Sequence, residues 1–218
     1  MSGRDNVLAF VGLGIGLLVG MIGHEYAHAR SADAFGDKTA RMYGRLTLNP
    51  GAHVDPLGTL ILPGIFLFSV LVGSPIGFVF GWAKPVPISP HRMRSPRTNA
   101  MLVALAGPAF NFAVAAVAAA GYRAASPSNF FPFPPSTDAQ WLLFYVILAN
   151  VWLGIINALP VPPLDGSKVL ARFLSPQAAF KMEELGQYGL LFLLLIFFVF
   201  RNVVDAMAEG VIRPLIGA

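Results

Sequence analysis

Four stretches of the chain are predominantly apolar, at 7–29, 98–122, 141–159 and 185–204, and a fifth, 58–82, is apolar but interrupted. About 20 apolar residues in a helix match the hydrocarbon thickness of a bilayer, so each of the four is predicted to span. The fifth is broken by Pro63-Gly64 and by Gly73-Ser74-Pro75. It is too short to cross twice, and its breaks suit a re-entrant segment buried in protein. The intervening loops differ in character. Residues 31–56 are polar and rich in Gly, Asn and Arg, 84–97 are basic and proline-rich, and 123–140 hold prolines and little charge. Within the first loop, "TARMYGRLTLNP" alternates weakly and predicts a short β-hairpin. The expected fold class is an all-α polytopic membrane protein with about four transmembrane helices, a re-entrant segment and a short β-hairpin; five or six spans is the alternative. A single domain covers 1–218, with a core at about 7–172 and a C-terminal span and tail at 185–218.

Composition agrees. Of 218 residues 56% are hydrophobic and 12% charged, with mean hydropathy +0.65, whereas a soluble domain is about a quarter charged. The bilayer is therefore the first expected partner. The net charge of +4 does not point to nucleic acid, because the basic residues fall in the loops. With 58–82 re-entrant, only Arg4, Arg123, Arg201 and Arg213 of the 15 basic residues lie on one side. Positive loops stay in the cytoplasm, so the other end of the bundle is expected to face it. The absence of cysteine excludes disulfides, thiol nucleophiles and cysteine metal sites.

Chemistry concentrates in the first run. Gly12, Gly16 and Gly20 fall four apart, a stripe that lets another helix approach closely, and the same spacing continues to His24 and His28. "HEYAH", His24 to His28, matches H-E-x-x-H. Residues four apart share a helix face, so both imidazoles reach one ion, and Glu25 lies near enough to take a proton from water beside it. Zinc accepts nitrogen and carboxylate ligands and leaves a position open. Two histidines and a glutamate in lipid are costly unless paired or ligated. One Zn2+ ion is the expected cofactor. From the residues alone the third ligand stays open among Asp165, Asp55, His53, Glu183 and Glu184. Asp165 leads, because "NALPVPPLDG" ends an apolar helix in a proline-rich turn, and irregular backbone at membrane depth belongs against protein or a water-filled cavity.

"HEYAH" followed far downstream by "NALPVPPLDG" resembles the site-2 protease family of intramembrane metalloproteases. "GRLTLNPGAHVDPLGT", "FGWAKPVPISP" and "LAGPAFN" are similar to its short bacterial members, and the resemblance covers about residues 20–172. It implies that His24, His28 and Asp165 bind zinc, that Glu25 is the catalytic glutamate, and that Asn157 helps hold substrate or the oxyanion. It implies hydrolysis of peptide bonds in or near transmembrane segments of membrane-protein substrates, in a bacterial cell membrane. His53 and Asp55 are expected around the metal site, and Asn111 to bond across helices or gate substrate. The "TARMYGRLTL" stretch is a candidate strand for pairing with unwound substrate. Two other readings remain: a membrane zinc protease using Glu183 or Glu184 as third ligand, and a zinc transporter, which would need ligands strung along a path. The sequence leaves substrate identity, regulation and oligomeric state open.

Overall fold

The computed structural model describes residues 3–73, 81–125 and 134–217. All regular structure in these residues is helical. Three helices are long and apolar enough to cross a membrane: α1 (Gly3–Ala34), α5 (Pro96–Ala124) and α6 (Asp138–Ala158). They pack on one another as the central unit. Between α1 and α5 lie two single-turn helices, α2 (Thr39–Met42) and α3 (Pro50–His53), and then α4 (Leu62–Leu71), entered through a π-helical turn Pro56–Ile61. After α6 come α7 (Asp165–Ala171), α8 (Pro176–Glu184), α9 (Gly189–Phe198) and α10 (Arg201–Ile216).

The glycine stripe sets the spacing of α1 and α6. A Cβ at Gly12 would lie 2.7 Å from Cβ of Tyr145, and one at Gly16 would lie 2.8 Å from Cβ of Ala149. Any larger residue there forces the helices apart. The surface is the reverse of a soluble protein's. Val7, Val11, Ile15, Leu18 and Val19 on α1 and Leu102, Leu105 and Val117 on α5 are exposed, while asparagines and histidines are buried, the arrangement lipid imposes. Helix α10 closes the opposite side. Val204, Ala208, Ile212 and Ile216 form an i, i+4 stripe buried against Tyr122, Ile147 and Val151.

Two expectations change. The β-hairpin is not formed, because side chains bend its first half into α2. The Asp37 carboxylate accepts the N–H and hydroxyl of Thr39, and Arg41 reaches back to Asp33 at 2.8 and 2.9 Å. A turn follows at Gly44 with φ +67°. Such local capping competes directly with strand pairing, so "TARMYGRLTL" offers no strand. The predicted span at 185–204 is also divided: a 3-10 turn Leu185–Tyr188 leads to the 10-residue α9, and a break precedes the amphipathic α10. Ten residues extend only about 15 Å. Three qualifying helices, rather than four, are therefore present among the described residues.

The segment 58–82 enters and leaves side by side. The Trp82 N–H donates to Gly58 O at 3.0 Å, and the Thr59 hydroxyl donates to Trp82 O at 2.8 Å. The second predicted break is described only at Gly73, with φ +75°; Ser74 and Pro75 lie outside the described residues. From Trp82 the chain continues as an extended strap to Ser89, pinned by its amides. Lys84 N–H donates to His53 O at 2.8 Å, Val86 N–H to Glu25 Oε2 at 2.9 Å, and Ser89 N–H to Asp37 at 2.6 Å.

Candidate metal centre

His24 lies ten residues before the end of α1, about 15 Å along the axis, and its ring is buried against Asn111 and Gly107 of α5 and Asp165 of α7. Three helices fix it. His24 Nδ1 lies 2.7 Å from Asn111 Oδ1 on α5. The Asn111 amide donates to Gly20 O at 3.2 Å and to Asn150 Oδ1 on α6 at 3.1 Å. Asn150 in turn donates to Gly16 O and Val146 O at 3.1 and 3.0 Å. The carbonyls can only accept, so they set both amides one way round and leave Asn111 Oδ1 facing the imidazole. A neutral His24 then carries its proton on Nδ1 and its lone pair on Nε2. His28 is set the same way, its Nδ1 donating to Val103 O at 2.7 Å.

Asp165 arrives from α7. The turn after α6 bonds within itself, through Val161 N–H to Leu159 O and Leu164 N–H to Val161 O. Gly166 then seats α7 against the end of α6; a Cβ there would lie 2.2 Å from Ala158 O and 2.4 Å from Leu159 O. That contact delivers Asp165 Oδ2 to 3.0 Å from His24 Nε2 and 2.9 Å from His28 Nε2, while the two Nε2 atoms are 3.0 Å apart.

Two lone pairs and a carboxylate oxygen, all buried and about 3 Å apart, repel one another unless a cation lies between them. Zinc bonds of about 2.0–2.1 Å at the tetrahedral angle separate ligand atoms by about 3.4 Å, so a few tenths of an ångström of opening admits the ion. The donor set of two imidazoles and one carboxylate is that of a zinc site with an open position. These three form the one group of ligating side chains among the described residues with this spacing.

Residues 134–197 match Peptidase family M50. The chain is 34% identical over 210 residues to "Putative zinc metalloprotease YwhC" of Bacillus subtilis, covering 94% of this chain and 85% of that relative. It is 30% identical over 195 residues to "Putative zinc metalloprotease Rip2" of Mycobacterium tuberculosis, covering 87% of this chain and 69% of the relative. The chain belongs to peptidase family M50. As an M50 peptidase, the site-2 protease family, it is a membrane zinc metalloprotease and its cofactor is Zn2+. No solved structure matches the chain.

The remaining predicted residues of this M50 chain fall at different places. Glu25 is half-buried beside His24, with Oε2 held by the strap at Val86. Asn157 is near the end of α6, its amide donating back to Leu153 O at 2.9 Å. His53 is buried at the end of α3, its Nε2 donating to Thr47 O at 2.8 Å, and its backbone carbonyl anchors the strap. Asp55 caps the turn that opens the re-entrant segment, accepting from Leu57 and Gly58 N–H at 3.1 and 2.7 Å. Neither His53 nor Asp55 belongs to the group of ligating side chains formed by His24, His28 and Asp165. Glu183 and Glu184 are exposed at the end of α8 and stand outside the cluster. Sequence reasoning missed Asn150, although an asparagine inside an apolar run carries the same signal as Asn111.

Proposed function

We propose that this peptidase hydrolyses peptide bonds within or near the transmembrane segments of other membrane proteins, at a zinc ion held by His24, His28 and Asp165. The observation that supports this most directly is the convergence of His24 Nε2, His28 Nε2 and Asp165 Oδ2 at about 3 Å, with both rings held in the metal-binding tautomer inside a bundle of spanning helices. Zinc, when bound, supplies a Lewis acid that polarises the scissile carbonyl and acidifies water. Glu25 takes the proton of the attacking water, one carboxylate oxygen steadied by Val86 N–H and the other available for the transfer. Asn157 donates to the developing oxyanion after its amide leaves the Leu153 carbonyl. Asn111 and Val103 keep the imidazoles from turning away. A helical substrate unwinds locally to enter, since its peptide groups are otherwise hydrogen-bonded within the helix.

The active site faces the cytoplasmic end. Arg97 caps the carbonyls at the end of α7, the helix that opens with Asp165. Arg4 pairs with Asp138 at 2.6 Å at the opposite end, where Arg123 also reaches the Pro214 carbonyl. The excess of basic residues on the metal side then sets the orientation.

The test is cleavage of a panel of membrane-spanning peptides by protein reconstituted in liposomes. Wild type cleaves, and Glu25→Gln binds zinc equally well but loses at least 100-fold in rate, the usual contribution of a general base being about 10²–10⁴-fold. An active Glu25→Gln removes the proposed mechanism, and zinc flux across the liposome without cleavage favours transport instead.

A further inference from the structure

Only one oxygen of Asp165 faces the histidines. The other, Oδ1, accepts from the ammonium of Lys168 at 2.9 Å, one turn on in the same helix. The two partners are unequal: the Lys168 side chain is 54% exposed and that of Asp165 8%. A pair between two exposed residues contributes little, but here the ammonium lies on a carboxylate buried at the metal cluster. Ser167 in the first turn of α7 does not serve Oδ1, because its N–H and hydroxyl both go to Leu164 O. The seat of Gly166 on the α6 carbonyls fixes the backbone from which both side chains extend. Side chains in a helix lean toward its N-terminus, so Lys168 reaches back over Asp165 without strain.

We propose that Lys168 is a positioning residue: its ammonium occupies Oδ1 so that Asp165 offers the metal Oδ2 alone. Ligation by one oxygen keeps the coordination position that hydrolysis requires; a carboxylate free to turn would fill it with its second oxygen. This rests on the proposed role of Asp165 as a ligand.

Cobalt(II) in place of zinc provides the readout, because four-coordinate cobalt absorbs visible light far more strongly than five-coordinate cobalt. Lys168→Met, which keeps the apolar stem, is expected to retain the metal, lose much of the visible absorption, and lower kcat about 10–100-fold, the range seen when partners of metal ligands are removed. KM is expected to change little. Lys168→Arg restores the spectrum and most of the rate. Lys168→Leu, which also has no donor, gives a second reading should the Met variant not fold. A spectrum unchanged in Lys168→Met or Lys168→Leu overturns the proposal, as does a Lys168→Arg spectrum like that of Lys168→Met. Asp165→Ala separates the two levels: metal retained there removes the ligand assignment itself, whereas metal lost there with an unchanged Lys168→Met spectrum removes only the role of Lys168.

Discussion

A single methyl group placed at Gly107 should empty the metal centre. This glycine of α5 lies directly against the two imidazoles. A Cβ built there falls 2.5 Å from Nε2 of His24, 2.5 Å from its Cε1, and 2.5 Å from Nε2 of His28. Ordinary contact begins at 3.4 Å, so both rings must recede by about 0.9 Å. They have nowhere to go at low cost. Each ring is tethered to α5 itself, one turn either side of Gly107, by a 2.7 Å hydrogen bond, to Asn111 and to Val103 O. Metal sites tolerate about 0.2 Å in ligand distance, and a misplacement near 1 Å costs about 100-fold in function. Overpacking adds about 1–3 kcal/mol of destabilisation. Gly107→Ala is therefore expected to weaken zinc at least 100-fold in a chelator competition, with a lowered thermal midpoint. Gly121→Ala on the same helix is the control, because its Cβ would meet only Leu143 at 3.4 and 3.7 Å. That variant should match wild type or gain slightly, alanine being favoured over glycine in a helix by up to about 1 kcal/mol. Wild-type zinc affinity in Gly107→Ala would refute the placement of α5 on the rings.

Other outcomes follow from the same geometry. Asn111→Leu removes the acceptor of His24 Nδ1 and strands Asn150, so zinc affinity should fall about 10–100-fold, with Asn111→Asp less affected; equilibrium dialysis against a zinc buffer measures it. Asp165→Ala should lose zinc and Glu183→Ala should keep it, read as metal content of the purified proteins. Stripping the metal with a chelator should lower the thermal midpoint, because a ligand bound only to the folded state stabilises it by mass action. Acid should loosen the strap at Asp37. Burial pushes this carboxyl up, but the Thr39 hydroxyl, the N–H groups of Ser89 and Thr39, and Arg92 together bring it below its ordinary 3.8. A depressed carboxylate stabilises the fold above the unfolded value and loses that contribution as pH falls through the folded value. Stability should thus decline below about pH 3.8 in wild type, and less steeply in Asp37→Asn, by thermal melts across pH.

The metal helix was legible because its chemistry and its packing share one periodicity: glycines at 12, 16 and 20 lead into His24 and His28 on the same face. Asp165 was named as the leading candidate from a turn, and its selection over Glu183 and Glu184 came from the family resemblance, since no spacing rule joins residues 137 apart. The asparagine relay was half legible. Asn111 stood out as polar in a span, but its service to His24 depends on three helices meeting at Gly20, which no single run encodes. The hairpin was misjudged for a local reason: weak alternation over 39–50 lost to the Asp37–Thr39 turn and the Arg41–Asp33 pair. The last apolar run was read by hydropathy alone, which does not register that polar Arg201, Asn202 and Asp205 share a separate amphipathic helix with Val204 and Ala208.

The amide that steadies Glu25 is flanked on both sides by residues that have none. In Pro85-Val86-Pro87 only the middle nitrogen bears a hydrogen, so the strap works like a key with one tooth. A slip of one position in either direction would present the glutamate with a bare ring nitrogen. Lengthening or shortening this stretch by one residue should therefore act as an all-or-none event at the glutamate, while substitutions that preserve its count and its prolines are tolerated.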